Sequence, residues 1–169
     1  MYALVLYLPE ELDKIVTPLR EKFDPLYDQI APHVTIVFPF ESGESLEELT
    51  AIIKKELENE QELLIELDSI IDFYPHSPVI CWKIEKNERL TSLYYRLHSK
   101  LGLTVPFKEY KPHVTVAQEI SDYRVMLVKE QIFPYLPNES FRAKSVDLIT
   151  PLIDKKWVSV RTFPLLPSD

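Results

Sequence analysis

Glycine and cysteine are nearly missing from this chain: 169 residues include two glycines, Gly43 and Gly102, and one cysteine, Cys81. Glycine ordinarily makes up about 7% of a globular sequence, and loops that cradle phosphate on backbone amides depend on its freedom to adopt positive φ. With two glycines neither G-x-G-x-x-G nor G-x-x-x-x-G-K-[ST] can be written, and the G-x-S-x-G nucleophile elbow is absent too. Common dinucleotide-binding and NTPase fingerprints are thereby excluded. A lone cysteine forms neither an internal disulfide nor a C-x-x-C knuckle, and H-E-x-x-H is missing. A reducing compartment and a cytoplasmic protein are expected. Positive charge is also short: 19 Lys and Arg against 27 Asp and Glu leave a net charge of −8, whose field opposes capture of polyanions. No long nucleic-acid groove is expected. No apolar run approaches the roughly 18 residues of a membrane span. The opening MYALVLYLPEE has no basic leading region and breaks at Pro9-Glu10-Glu11, so it reads as a first strand rather than a signal peptide.

What is present is ordinary in bulk, with 46% apolar and 27% charged residues, enough to bury the core of one domain. It is unusual in one repeat. Pro32-His33-Val34-Thr35-Ile36 returns 80 residues later as Pro112-His113-Val114-Thr115-Val116. Upstream of the first copy, Leu12, Ile15, Val16, Leu19 and Phe23 fall at offsets 0, 3, 4, 7 and 11, the apolar stripe of an amphipathic helix. Leu90, Leu93, Tyr94, Leu97 and Leu101 repeat those offsets before the second copy. A strand-like run precedes each stripe, Tyr2 to Leu8 and Val79 to Ile84. The chain therefore reads as a single domain over 1–169, built from two β-α-β-α-β repeats, approximately 1–75 and 76–169, forming two pseudo-symmetric lobes. The expected class is α+β, with mainly antiparallel sheets facing a central cleft. Ser45-x-x-Glu48 marks a capping box opening a helix toward Leu57. A helix is expected near 122–133 and strands near 142–150 and 156–163. Pro18, inside the first stripe, is expected to kink or shorten its helix.

In a strand, residues i and i+2 share a face, so His33 stands beside Thr35 and His113 beside Thr115. If a pseudo-twofold relates the repeats, two imidazoles and two hydroxyls surround one point, a symmetric cradle for a phosphate. Phosphodiester cleavage needs one group to take a proton from the nucleophile and another to give one to the leaving oxygen. Imidazoles near an ordinary pKa of about 6.5 can divide those roles, one neutral and one protonated, and a bell-shaped pH profile is expected. The threonine hydroxyls can donate to phosphoryl oxygens as charge develops there. No metal and no other cofactor is required by this scheme.

Paired H-x-[ST]-x motifs about 80 residues apart in a small duplicated α/β chain resemble the 2H phosphoesterase superfamily. The phrase P-H-V-T-[IV] and the Pro-rich, Gly-poor character look most like its bacterial YjcG-like branch. The resemblance implies a hydrolase, a cyclic-phosphodiesterase type of phosphoesterase, acting on a 2′,3′-cyclic phosphate or a 2′-5′ linkage in a small nucleotide or RNA end. It also implies His33 as proton donor, His113 as proton acceptor, and Thr35 and Thr115 as phosphate ligands, with the two histidine labels exchangeable on symmetry grounds.

Lys108, Tyr110 and Lys111, just before the second motif, are further candidates for touching phosphate or stacking on a base, against the alternative of a solvated loop. His76 in a proline turn and His98 on a helix read as surface or packing residues. Trp82, Trp157 and Cys81 read as core or edge side chains. Two other functions fit the same motifs: a non-catalytic binding module for a nucleotide or RNA end, and RNA 2′-5′ ligase-like activity, which the acidic charge disfavours. Oligomeric state leaves no mark in the sequence.

Overall fold

A computed structural model describes residues 1–107 and 109–168. The first repeat supplies β1 (Tyr2–Tyr7), α1 (Glu10–Phe23), β2 (His33–Phe40), α2 (Leu46–Leu57) and β3 (Leu63–Asp72). The second supplies β4 (Ile80–Ile84), α3 (Glu88–Lys100), β5 (His113–Ala117), a 3-10 turn leading into α4 (Val125–Ile132), then β6 (Glu139–Ala143), β7 (Ser145–Pro151) and β8 (Trp157–Pro164). Local chemistry starts the helices where the sequence indicates. The Ser45 hydroxyl accepts from Glu48 N–H while the Glu48 carboxylate accepts from Ser45 N–H, satisfying two otherwise orphaned amides. Asn87 caps α3 through Leu90 N–H. Helix α1 runs through Pro18 to Phe23 without being shortened, because its buried stripe of Leu12, Val16 and Leu19 outweighs the one lost backbone bond.

The strands form one antiparallel sheet in the order β6-β3-β4-β5-β2-β1-β7-β8. It is two four-stranded groups joined where β2 meets β5, so the expected facing sheets are continuous along one seam. Among the described residues the seam is paired at one position, Val34 with Val114. The groups are assembled across the repeat boundary expected near residue 75. β3 pairs with β4, with Ile71 opposite Cys81 and Asp72 opposite Ile80, while β7 returns to pair with β1, Leu4 opposite Leu148. A short turn joins β3 directly to β4, and consecutive strands tend to pair. The strand expected over 142–150 splits at Lys144, whose carbonyl accepts from Leu165 N–H. Its first part edges one group beside β3 and its second part enters the other beside β1. After β8 the chain reaches back to the start of β3, where Leu166 N–H donates to the Glu60 carbonyl and Glu62 N–H to the Leu166 carbonyl. The sheet is curled.

The core lies between the sheet and its helices: Leu4, Leu6, Val34, Ile36, Val114 and Val116 from the strands pack with Val16 of α1 and with Leu90, Leu93 and Leu97 of α3. The opposite, concave face carries the two motifs.

Candidate active site

His33 opens β2 and His113 opens β5. Burial alternates identically along both: 33, 35, 113 and 115 are half-buried, and 34, 36, 114 and 116 are fully buried. The histidines and threonines therefore share the face away from the helices. Stepping one residue from the antiparallel pair Val34 and Val114 sets His33 on the side of Thr115 and Thr35 on the side of His113. Four groups thus form a square, each imidazole flanked by a hydroxyl along its strand and another across the seam.

Both rings are aimed by the same device. His33 Nδ1 lies 2.8 Å from the Ala31 carbonyl and His113 Nδ1 lies 2.8 Å from the Lys111 carbonyl. In each case an intervening proline, Pro32 or Pro112, biases the preceding residue to extended backbone. A carbonyl only accepts, so Nδ1 carries the proton and Nε2 is left to act on a ligand. The carbonyls of the prolines are held alike, Pro32 by Leu8 N–H and Pro112 by Ile84 N–H. Tyr7 meets the His33 ring edge-on at 6.5 Å, and Phe73 meets the His113 ring edge-on at 5.0 Å.

The electrostatics correct one expectation. Desolvation at the foot of the concave face lowers both imidazoles below the ordinary 6.5, His33 further, to about 4. At His33 the Ala31 carbonyl opposes the shift, the nearby Arg20 and His113 add to it, and Asp24 partly offsets it. At His113 the Lys111 carbonyl is the opposing influence. Without a ligand, both rings are therefore neutral at pH 7, rather than one neutral and one charged. An anion placed between them raises both.

A cleft of about 780 Å³ opens beside His113 and Thr115, walled by Phe38, Phe73, Tyr74 and Phe107. Residues 8–152 match the family described as the 2′-5′ RNA ligase superfamily. The chain belongs to that superfamily. A Halalkalibacterium halodurans protein named "Putative phosphoesterase" is 30% identical over 97% of this chain and 96% of its own. A Bacillus pumilus protein of the same name is 32% identical over 72% of this chain and 71% of its own. In fold the chain is similar to E. coli LigT crystallised with 3′-AMP, at TM-score 0.71 and 17% identity over 97% of both chains. It is also similar to a Thermus thermophilus protein, at TM-score 0.68 and 16% identity over 99% of both. Superfamily membership and these relatives support an enzyme of the phosphoesterase class.

Within this superfamily member, the other candidates separate cleanly. Lys108 lies outside the described residues. Lys111 is exposed beside the cleft, 3.6 Å from the Glu109 carboxylate. Tyr110 needs correcting as a base-stacking candidate. Its ring is buried and stacked on Tyr94 at 4.2 Å, and its hydroxyl donates to the Thr35 carbonyl at 2.7 Å. It supports the first motif from the second repeat instead. His98 is buried, with Nδ1 on the Tyr94 carbonyl, and Trp82 is core. Cys81 is buried, and burial pushes its thiol well above the ordinary range. His76 does more than expected of a surface residue, since it lines the cleft. The aromatic walls and Gln118, also in the cleft lining, were not singled out from sequence. No periodicity marks these aromatics as a ligand wall, although their position flanking the motifs was a usable signal. No helix among the described residues is long and apolar enough to cross a membrane.

Proposed function

We propose that this chain is a metal-independent phosphodiesterase that opens a 2′,3′-cyclic or 2′-5′ phosphodiester in a small nucleotide or RNA end, in a cytoplasmic setting. The observation that carries the reading is the square of two imidazoles and two hydroxyls, with both Nδ1 atoms tied to backbone and both Nε2 atoms left for the ligand. A phosphate in that square receives hydrogen bonds from the Thr35 and Thr115 hydroxyls, which strengthen as negative charge gathers on the phosphoryl oxygens. One Nε2 takes the proton of the attacking water while the other, protonated, delivers one to the departing ribose oxygen. The anion itself supplies the field that raises the donor ring into its charged form. We take His33 as donor and His113 as acceptor. Burial lowers the unliganded His33 ring to about 4, so its role as donor relies on the bound phosphate to raise it. The aromatic walls beside the second motif offer faces for a base, and LigT crystallised with 3′-AMP, NADP+ and ATP supports a small nucleotide as occupant.

The test is hydrolysis of 2′,3′-cyclic nucleotides, ADP-ribose cyclic phosphate and short 2′-5′ oligonucleotides with EDTA present, comparing wild type with His33→Ala and His113→Ala. Cleavage that resists EDTA and disappears in both variants is expected. Binding without turnover of any member would overturn the enzyme reading in favour of a binding module. Joining of two RNA ends in preference to cleavage would favour ligase-like activity.

A further inference from the structure

The site is made by two strands from different repeats, yet the seam between them is paired at one position among the described residues. A cradle whose parts must hold to about 0.5 Å needs more than that. A buried polar chain beneath the seam provides it. Arg20 and Asp24, in the last turn and at the cap of α1, are 3% and 2% exposed. Arg20 Nε donates to Asp24 Oδ2 at 2.9 Å, and its Nη1 donates to the Ile30 carbonyl at 2.7 Å. That carbonyl is one residue before the Ala31 carbonyl that holds the His33 ring. Asp24 Oδ1 accepts from Leu26 N–H at 2.9 Å and, across the seam, from Gln118 Nε2 at 2.8 Å. Gln118 follows β5 directly, and its own N–H donates to the Phe23 carbonyl. The chain thus runs from the end of the second motif strand to the loop that aims the first histidine.

General packing does not account for this pair. Burying two charges costs more than apolar residues of the same volume would, and the second repeat does without them. Aligning the helical stripes sets Arg20 against His98 and Asp24 against Gly102, and the His98 ring bonds to the Tyr94 carbonyl of its own helix. A buried ion pair kept on one side, with three of its bonds leaving its helix, gives directional alignment.

We propose that Arg20, Asp24 and Gln118 are positioning residues that lock the two histidine strands in register across the seam. The inference rests on reading His33 and His113 as one paired site, and its test has an arm that needs no turnover. Gln118→Met removes the side-chain bond to Asp24 across the seam without changing charge. In 15N-detected NMR of the unliganded protein, the His33 ring signals are expected to move even though residue 118 lies beyond the end of the other motif strand. Where substrate turns over, kcat is expected to fall about 10- to 100-fold with melting temperature little changed. Gln118→Asn, one methylene short of Asp24, serves should the first variant fail to fold. The double variant R20M/D24L, which keeps volume, is expected to stay folded and lose kcat similarly. Unmoved His33 signals in a folded Gln118 variant would overturn the proposal even if kcat fell, because Gln118 would then act only as a cleft contact. Wild-type kcat in R20M/D24L would overturn it as well. If wild-type protein turned over no substrate, the functional reading would fail while the NMR arm still decided this one.

Discussion

The two motifs hold their histidines by identical backbone bonds, but the concave surface around them differs. Beside the first, Ala3, Val5 and Ile149 are buried together with Tyr7, Ile30 and Trp157 packed on them, and Trp157 N–H is tied to the Gln29 carbonyl. Beside the second, the equivalent space is the open aromatic cleft. Strand β1 presents Tyr7 next to His33 where β4 presents Lys83 next to His113. Duplication has kept what orients the imidazoles and let the ligand wall diverge.

The largest effects are expected at the histidines. His33→Ala and His113→Ala should each lower kcat by about 10²–10⁴-fold, the range for losing a positioned acid or base. A much smaller loss at one of them, in steady-state rates on the panel substrate, would show that the motifs are equivalent only in appearance. Thr35→Val and Thr115→Val should each cost about 10²-fold in kcat, typical of one oxyanion donor, with far-UV circular dichroism unchanged. The divergent walls come next. Phe73→Ala should raise KM about 10-fold through a lost stacking face, while Trp157→Ala on the filled side should leave KM nearly alone and lower the melting temperature instead.

The pH profile sharpens the comparison in another way. The proposed mechanism needs one ring charged and one neutral in the free enzyme, and both rings are lowered, His33 to about 4 and His113 below 6.5. The kcat/KM optimum should therefore lie between about 4 and 6.5 and fall toward pH 8, as the singly protonated pair loses its proton. The kcat profile, which reports the complex, should sit higher because the bound anion raises both rings. A kcat/KM optimum above pH 7 would remove the desolvation argument. The smallest effect is expected at Tyr110→Phe, which leaves the Thr35 carbonyl without its donor and should cost about 1–2 kcal/mol in thermal or denaturant unfolding.

Much of this is legible in the sequence. The two P-H-V-T strands, their alternation, the helical stripes and the Ser45 capping box are local patterns, and each appears where its periodicity put it. The reading failed where contacts join distant parts of the chain. Nothing in the residues around 144 announces that one continuous apolar alternation divides between opposite ends of the sheet. Tyr110 looked like a base platform because an aromatic beside a motif has the same one-dimensional signature whether it faces solvent or stacks on Tyr94. Arg20 and Asp24 were not singled out, because a charged pair four residues apart on a helix has the same local signature whether it is solvated or buried.

The sequence alone was enough to place His33 beside Thr35 and His113 beside Thr115 on one face of their strands, because strand periodicity is a property of a few consecutive residues. It also excluded glycine-loop phosphate binding. Only the tertiary structure decided that β2 lies beside β5 with Val34 against Val114, that one concave surface is filled and the other open, and that both imidazoles are desolvated. Those outcomes depend on residues some 80 positions apart meeting across a seam, where packing and water exclusion act on the assembled sheet rather than on any stretch of chain.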